Sequence, residues 1–462
     1  MEKLFGTDGV RGIPGKAPLL SETIREIAFI AARIMQRRSQ ARSNGHAPAI
    51  LMGRDTRNSG PEICRHLVSG FNLAKCRAVD LGVLPTPAVS YLTPRLKAVC
   101  GVVVSASHNP AQFNGIKFFD AAGFKMDPQT EELIESELRS RQHGVHPPKS
   151  RALPLNSENG SRYVAEYLDF LKSTFPPTMD LSGMRLAVDC AHGASSGIAP
   201  RLFRELGATV ISLGCSPNGR NINDGCGALC TEPLRKLVLR QKAHCGVCFD
   251  GDADRAIFID EKGRELDGDA LICLSAQRLQ RHGLLKSNKV ALTVMSNFGL
   301  LKFLKERGIS AVSVPVGDRN VTEAIEKEGL SLGGESSGHI IFRKFSATGD
   351  GMLTALQTLA ALREAGKPLS ELRRGFRAVP QVLKNLAVEN KVPLEGLPHF
   401  RQLAGRFERE LKGEGRIFLR YSGTEPLLRI MIEGPSHSRI RSMASALAAV
   451  YLKETGQRHE VH

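Results

Sequence analysis

The 462-residue chain is 42% hydrophobic and 5% aromatic, lacks Trp, and carries a formal net charge of +16. That length suits about three or four domains, and the shortage of aromatics argues against a stacking platform for single-stranded nucleic acid. The charge favours anionic partners, phosphorylated metabolites among them, and no apolar run reaches the roughly 18 residues that a bilayer span demands.

Residues 1–20 lack the basic start, apolar core and small-residue cleavage site of a secretory leader, so a cytoplasmic protein is expected. Within them, LFGTDGVRG (4–12) is a Gly-rich opening that carries Asp8 and Arg11. Ile24, Ile27, Ile30, Ala31 and Ile34 recur at helical spacing behind Ser21, a candidate cap, and predict a helix over 21–36. The basic run from Arg33 to Arg42 reads as a solvated face or loop, and 36–48 as an exposed loop. AILMGRD (49–55) is a short strand ending in charge. A helix is expected over 61–74, a strand over 78–85, and a hydrophobic strand from 100 that stops abruptly in small polar residues. An extended stretch at 115–120 and a Glu-rich helix near 129–141 follow, then a Pro- and Ser-containing loop over 143–160.

The same grammar restarts after DLSG (180–183). MRLAVDCAHGASSG reads as strand, tight turn and helix start, ATVISLG (208–214) as a strand, and HCGVCFDGDADR (244–255) as another. A third unit follows, with helices over 266–283, 301–308 and 350–364 and a strand with its turn over each of 288–299 and 308–318. Alternating strands and helices indicate parallel sheets covered by helices, and the likeness of the three units suggests a distant internal repeat. The last unit, with strands at 416–420 and 428–433 and a helix near 438–454, reads as α+β. The resulting division is 1–160, 161–260, 261–373 and 374–462.

The ten cysteines lie mostly in apolar segments, as reduced cytosolic thiols do. Cys226 and Cys230 with Cys245 and Cys248 have a spacing that zinc sites use. In a strand, however, positions 245 and 248 point to opposite faces, which disfavours that reading.

The sharpest chemical signal is FDGDADR (249–255). Asp250, Asp252 and Asp254 alternate through a tight loop after a strand, where converging carboxylates need a cation to offset their repulsion. Carboxylate oxygens suit magnesium, Gly251 allows sharp backbone geometry, and Arg255 is placed to contact a phosphate. A solvated acidic turn or a calcium loop is the competing reading, although the twelve-residue calcium signature is missing. SASHNP (105–110) is the second signal. Ser107 sits where a strand ends, beside His108 and Asn109, and a serine hydroxyl near a cation and a base can carry a phosphoryl group. Lys117 is available to stabilise phosphate or assist proton transfer. Taken alone, a serine in this position is more often a turn or cap residue.

GGESSGH (333–339) offers Glu335, Ser337 and His339 to a polyhydroxylated ligand. RYSGTEPLLR (420–429) offers Arg420, Ser422, Gly423, Thr424 and Arg429, a set that suits a phosphate cradle.

These segments, in this order and over nearly the whole chain, resemble the α-D-phosphohexomutase superfamily, and within it the bacterial phosphoglucosamine mutases. FGTDGVRG (5–12), SASHNP, NGIKFF (114–119), DGDADR (250–255), VGDRN (316–320), GGESSGH and RYSGTEP (420–426) carry the resemblance. It implies three related α/β domains with mixed sheets plus a C-terminal α+β domain around a central cleft. It implies Ser107 as phosphoserine, its phosphate completing a magnesium shell made by Asp250, Asp252 and Asp254, with Arg255 on that phosphate. Arg11, Lys117 and His339 are implied near the reacting groups, Glu335 and Ser337 on sugar hydroxyls, and the 420–429 segment on the phosphate that is not transferred. The implied reaction interconverts glucosamine 6-phosphate and glucosamine 1-phosphate through a bisphosphorylated hexosamine, a step in amino-sugar metabolism and cell-wall precursor supply. His192, Asn320 and Ser336 stand where the family commonly has other residues, and phosphoglucomutase or phosphomannomutase is the alternative. A nucleic-acid-binding protein and a noncatalytic sugar-phosphate sensor are the readings from other classes. The first has only the charge in its favour, and Ser107 together with the Asp triad argues against the second. The sequence leaves the oligomeric state open.

Overall fold

The computed structural model describes residues 4–6, 8–38, 47–141, 160–422 and 426–457. Most of the loop expected over 143–160 and the end of the basic run at Arg42 lie outside them. The chain divides into two compact units. One comprises Met1–Met295 with Gly308–Arg374, and the other Ser296–Arg307 with Gly375–His462.

The first unit contains three sheets built to one plan. In the first sheet, Arg77–Val83 pairs parallel with Ala49–Arg54, which pairs parallel with Cys100–Val104. Asn114–Phe119 then joins Cys100–Val104 antiparallel, and Val10–Gly12 closes the edge, again antiparallel. The second sheet repeats this order as Thr209–Leu213, Arg185–Asp189, Cys245–Phe249, Ala256–Asp260 and Glu265–Leu266. The third runs Ser310–Val314, Lys289–Thr293, Leu332–Gly334 and Ile340–Phe342, the last again antiparallel. The repeat suspected from sequence grammar is thus real at the level of topology. The sheets are mixed, where alternation alone had indicated parallel ones. The third and fourth strands of each sheet are joined by residues 105–113, 250–255 and 335–339, and so short a connection can only return the chain antiparallel.

Helices form where apolar spacing foretold them. Ser21–Arg38 buries Ile24, Ile27, Ile30 and Ala31 and packs on Gly60–Leu73. The contact is close because Gly70 has no side chain: a Cβ there would lie 2.4 Å from the Arg25 carbonyl oxygen. Several helices had no assigned signal, Thr86–Arg95 and Gly160–Thr174 among them. The first carries Pro87 and Pro94, which read as breakers. The second follows a polar stretch that hid its start, although Tyr167, Leu168 and Leu171 form its buried face. Tyr91 and Phe170 stack between these helices with ring centroids 4.0 Å apart.

The second unit is an antiparallel sheet, Gln381–Ala387, Leu427–Glu433 and Arg416–Tyr421, covered by helices Pro398–Glu410 and His437–Thr455. No helix among the described residues is long and apolar enough to cross a membrane.

Candidate active site

The shared plan of the three sheets explains where the polar residues go. In each, the loop between the third strand and its antiparallel partner carries one sequence signal: Ser107 in the first, the Asp triad in the second, Glu335 to His339 in the third. These loops leave the carboxyl ends of parallel strands, where open α/β sheets place ligands.

Ser107 and the triad meet directly. The Ser107 hydroxyl donates to Asp250 Oδ2 at 2.6 Å, and its backbone N–H donates to Ser105 Oγ at 2.9 Å. Ser107 adopts φ +51°, a left-handed conformation uncommon for a residue with a side chain. It is 1% exposed, so it lies beneath the surface and not at the mouth of an opening. Its loop is held from below by Arg57, whose guanidinium donates to the carbonyl oxygens of Ser107, Asn109 and Pro110 at 3.0, 2.9 and 2.6 Å and to Asp55 Oδ2 at 2.8 Å. Asn223 Nδ2 donates to the Ser107 and Asn109 carbonyls as well.

In the Asp250–Asp254 loop the left-handed residue is Ala253, at φ +57°. Gly251 serves another purpose than the sharp turn expected of it. A Cβ there would meet the Ser107 carbonyl oxygen at 2.6 Å, so the glycine lets the two loops touch.

The triad's carboxylate oxygens lie within 4.8 Å of one another, all three residues buried. Burial, with Asp254 and Asp252 adding repulsion, drives the Asp250 carboxyl well above its ordinary range. Burial and Asp252 likewise push Asp254 up. Asp252 is the exception: against the effect of burial, Lys117 and the Thr86 hydroxyl hold it below the usual range. Lys117 Nζ sits 2.9 Å from Asp252 Oδ2, 2.9 Å from Asp8 Oδ2 and 3.6 Å from Asp254 Oδ2. Those carboxylates outweigh burial and keep the ammonium charged. Asp252 Oδ1 and Asp254 Oδ1 are buried without a hydrogen-bond partner. Two orphaned carboxylate oxygens in an all-oxygen donor set fit a hard divalent cation.

Beside this centre lies a cavity of ≈ 430 Å³ lined by Arg11, His108, Asp254, Arg255, Glu335 and His339. Arg255 is 3.7 Å from Asp254 Oδ1, and three further acidic groups help to keep its guanidinium charged despite burial. Burial, Arg255 and Arg11 push His108 down to about 4. Glu335 is fixed by the Gly317 N–H, which donates to its Oε1 at 3.0 Å. Ser337 Oγ and His339 Nδ1 are buried without a hydrogen-bond partner. His339 Nε2 lies 3.2 Å from the Gly349 N–H and 3.5 Å from Asp318 Oδ2.

Lys125 and Asp318 carry no signal in the sequence, and Asp8 stands out only as part of the Gly-rich opening, yet all three belong to this network. Asp8 pairs with Arg11 and Lys125, and Lys125 pairs in turn with Asp318. The only available hint was that TDG and VGDRN each place an acid beside glycine.

In the second unit, Arg420 and Arg429 face each other as direct cross-strand partners. Like charges in that position repel, and an anion between them would offset the repulsion. Arg429 Nη2 lies 3.5 Å from Ser422 Oγ, and Lys391 donates to the Ser422 carbonyl at 2.6 Å. Gly423 and Thr424 lie outside the described residues.

Comparison with known proteins gives this constellation a lineage. The four phosphoglucomutase/phosphomannomutase domain signatures match in order: α/β/α domain I at residues 2–144, domain II at 165–263, domain III at 267–378 and the C-terminal domain at 368–450. The phosphoglucosamine mutase of Syntrophotalea carbinolica is 42% identical over 461 residues, 99% of either chain. That of Geobacter metallireducens is 43% identical over 462 residues, 99% of this chain and 100% of its own. The chain belongs to the phosphoglucosamine mutase family.

Other phosphohexomutases share the fold at lower identity. A phosphoglucomutase/phosphomannomutase family protein from Burkholderia thailandensis is 20% identical with a TM-score of 0.80, covering all of both chains. The Aspergillus fumigatus N-acetylphosphoglucosamine mutase, solved with GlcNAc-6P and magnesium, is 18% identical with a TM-score of 0.64, covering 98% of this chain and 96% of its own.

Proposed function

We propose that this phosphohexomutase interconverts glucosamine 6-phosphate and glucosamine 1-phosphate in the cytoplasm, with Ser107 as the phosphoryl carrier. The observation that carries the reading is the 2.6 Å contact between Ser107 Oγ and Asp250 inside a buried carboxylate triad. Magnesium, when held by Asp250, Asp252, Asp254 and a phosphate oxygen on Ser107, supplies the positive charge that draws electron density from the phosphoryl group. Arg255 and Arg11 contact the transferring phosphoryl oxygens. Lys117 meets the negative charge that develops on Ser107 Oγ as its bond to phosphorus breaks; the sugar hydroxyl takes the phosphoryl group, and the proton it gives up ends on Ser107 Oγ. Glu335, Ser337 and His339 orient the sugar through its hydroxyls and amine. Arg420, Ser422, Gly423, Thr424 and Arg429 hold the phosphate that is not being transferred. The resulting bisphosphorylated hexosamine turns end for end, and its other phosphate returns to Ser107. On this reading residues 1–160 carry the phosphoserine, 161–260 the metal loop, 261–373 the sugar loop and 374–462 the phosphate cradle.

A coupled mutase assay across glucosamine, N-acetylglucosamine, glucose and mannose phosphates tests the substrate. Glucosamine phosphate should give the highest kcat/KM, and a preference for glucose or mannose phosphate would reassign the enzyme. Ser107→Ala should lower turnover by at least about 10³-fold while leaving the fold intact, because the covalent carrier is lost. Peptide mapping of active protein should place the phosphoryl adduct on Ser107, and chelation should abolish turnover until magnesium is restored.

A further inference from the structure

We propose that Arg57 is a positioning residue for phosphoryl transfer, resting on the reading of Ser107 as carrier. Its guanidinium is 0% exposed and gathers three carbonyl oxygens of the Ser107 loop, those of Ser107, Asn109 and Pro110, while Asp55 balances its charge. Asp55 also accepts from the Ser105 hydroxyl at 2.7 Å, and Ser105 Oγ accepts the Ser107 N–H. Both ends of the Ser107 peptide unit are therefore tied to one buried ion pair, and Asn223 adds a second donor to the Ser107 carbonyl. With its carbonyl turned down onto Arg57, Ser107 takes the left-handed φ of +51°, and its hydroxyl points to Asp250. Without the clamp the residue relaxes toward the conformations that side chains favour, and the oxygen leaves the metal-ligand loop. Among the described residues the Arg57 guanidinium donates to backbone carbonyls and Asp55, so it acts through the loop and not on substrate.

Charge alone does not supply this function. A lysine would still neutralise Asp55, but a single ammonium with three donors cannot span Asp55 and three divergent carbonyls as a planar guanidinium does. Arg57→Lys therefore separates geometry from charge. Asn223→Gly is the second variant: it removes one donor and leaves the ion pair, and Asn223 already has φ +59°, which glycine adopts freely.

The experiment uses full-length protein and a bisphosphorylated hexose as phosphoryl donor. It follows the single-turnover phosphorylation of Ser107 by intact mass, and kcat and KM in the coupled assay, with thermal unfolding to establish that each variant is folded. A misplacement of about 1 Å lowers rates on the order of 10²-fold, so R57K should lose about that much in transfer rate and kcat, and N223G about tenfold. KM should stay within about threefold in both, because the sugar contacts are untouched. Folded R57K that phosphorylates Ser107 at the wild-type rate overturns the proposal, as does a loss that appears in KM alone. If R57K does not fold, N223G at the wild-type rate overturns it. Wild-type protein that never carries phosphate on Ser107 sinks the carrier reading itself, a result separate from either variant outcome.

Discussion

His108 lies between Ser107 and the cavity, with Nδ1 3.3 Å from Ser107 Oγ. Burial, followed by Arg255 and Arg11, lowers its pKa from 6.5 to about 4. Between those two values the unfolded chain holds a proton that the folded protein does not, so stability falls as pH drops through that window and levels off below it. His108→Gln removes this dependence. In urea denaturation of unphosphorylated protein, wild type should lose more stability than H108Q on going from pH 7 to pH 5, and equal losses would refute the burial argument. The unphosphorylated form is required because a phosphoryl group on the adjacent serine would raise the imidazole pKa.

The elements show what a sequence can and cannot disclose. CGVVV and HCGVCF announce buried strands, and the polar residues that end them announce site loops, because a strand's burial is written locally. The Arg57 clamp was not legible, because it follows a short strand ending in charge and nothing local marks its carbonyl partners, which lie about fifty positions further on. The Lys125–Asp318 pair spans 193 positions and leaves no local trace. The purpose of Gly251 depends on Ser107, far earlier in the chain. That purpose makes a prediction. A Cβ at Gly251 would press on the Ser107 carbonyl oxygen, and a Cβ at Gly193 would press on the Gly251 carbonyl oxygen at 2.3 Å, so neither loop can yield cheaply. Gly251→Ala should cost about 1–3 kcal/mol of stability and lower kcat on the order of 10²-fold as the loops part. Gly197→Ala, where nothing lies within 4 Å, is the control and should be close to neutral on both measures.

At the scale of the molecule, chain order and spatial grouping diverge at Ser296–Arg307, which joins the unit formed by the C-terminal sheet. Glu433, at the end of the central strand of that sheet, is fully buried. Its Oε2 accepts from Arg416 Nε at 2.6 Å and from the Phe298 N–H at 3.1 Å, while Arg416 also donates to the Ser296 carbonyl. Asn297 adds a two-way amide pairing with Val379, at 2.8 and 3.0 Å. The segment is thus attached through one ion pair and a short run of backbone bonds. Glu433→Gln keeps the shape but leaves Arg416 without its counter-charge. Breaking a buried pair costs about 3–5 kcal/mol, and since Arg416 retains some exposure the loss should fall near the lower end. Replacing both partners, as Glu433→Leu with Arg416→Met, removes the stranded charge and should cost less than the sum of the two single changes. Denaturant unfolding of the four proteins measures the coupling directly. Strict additivity would mean that the ion pair does not hold the segment, and would leave the Asn297–Val379 pairing as its anchor.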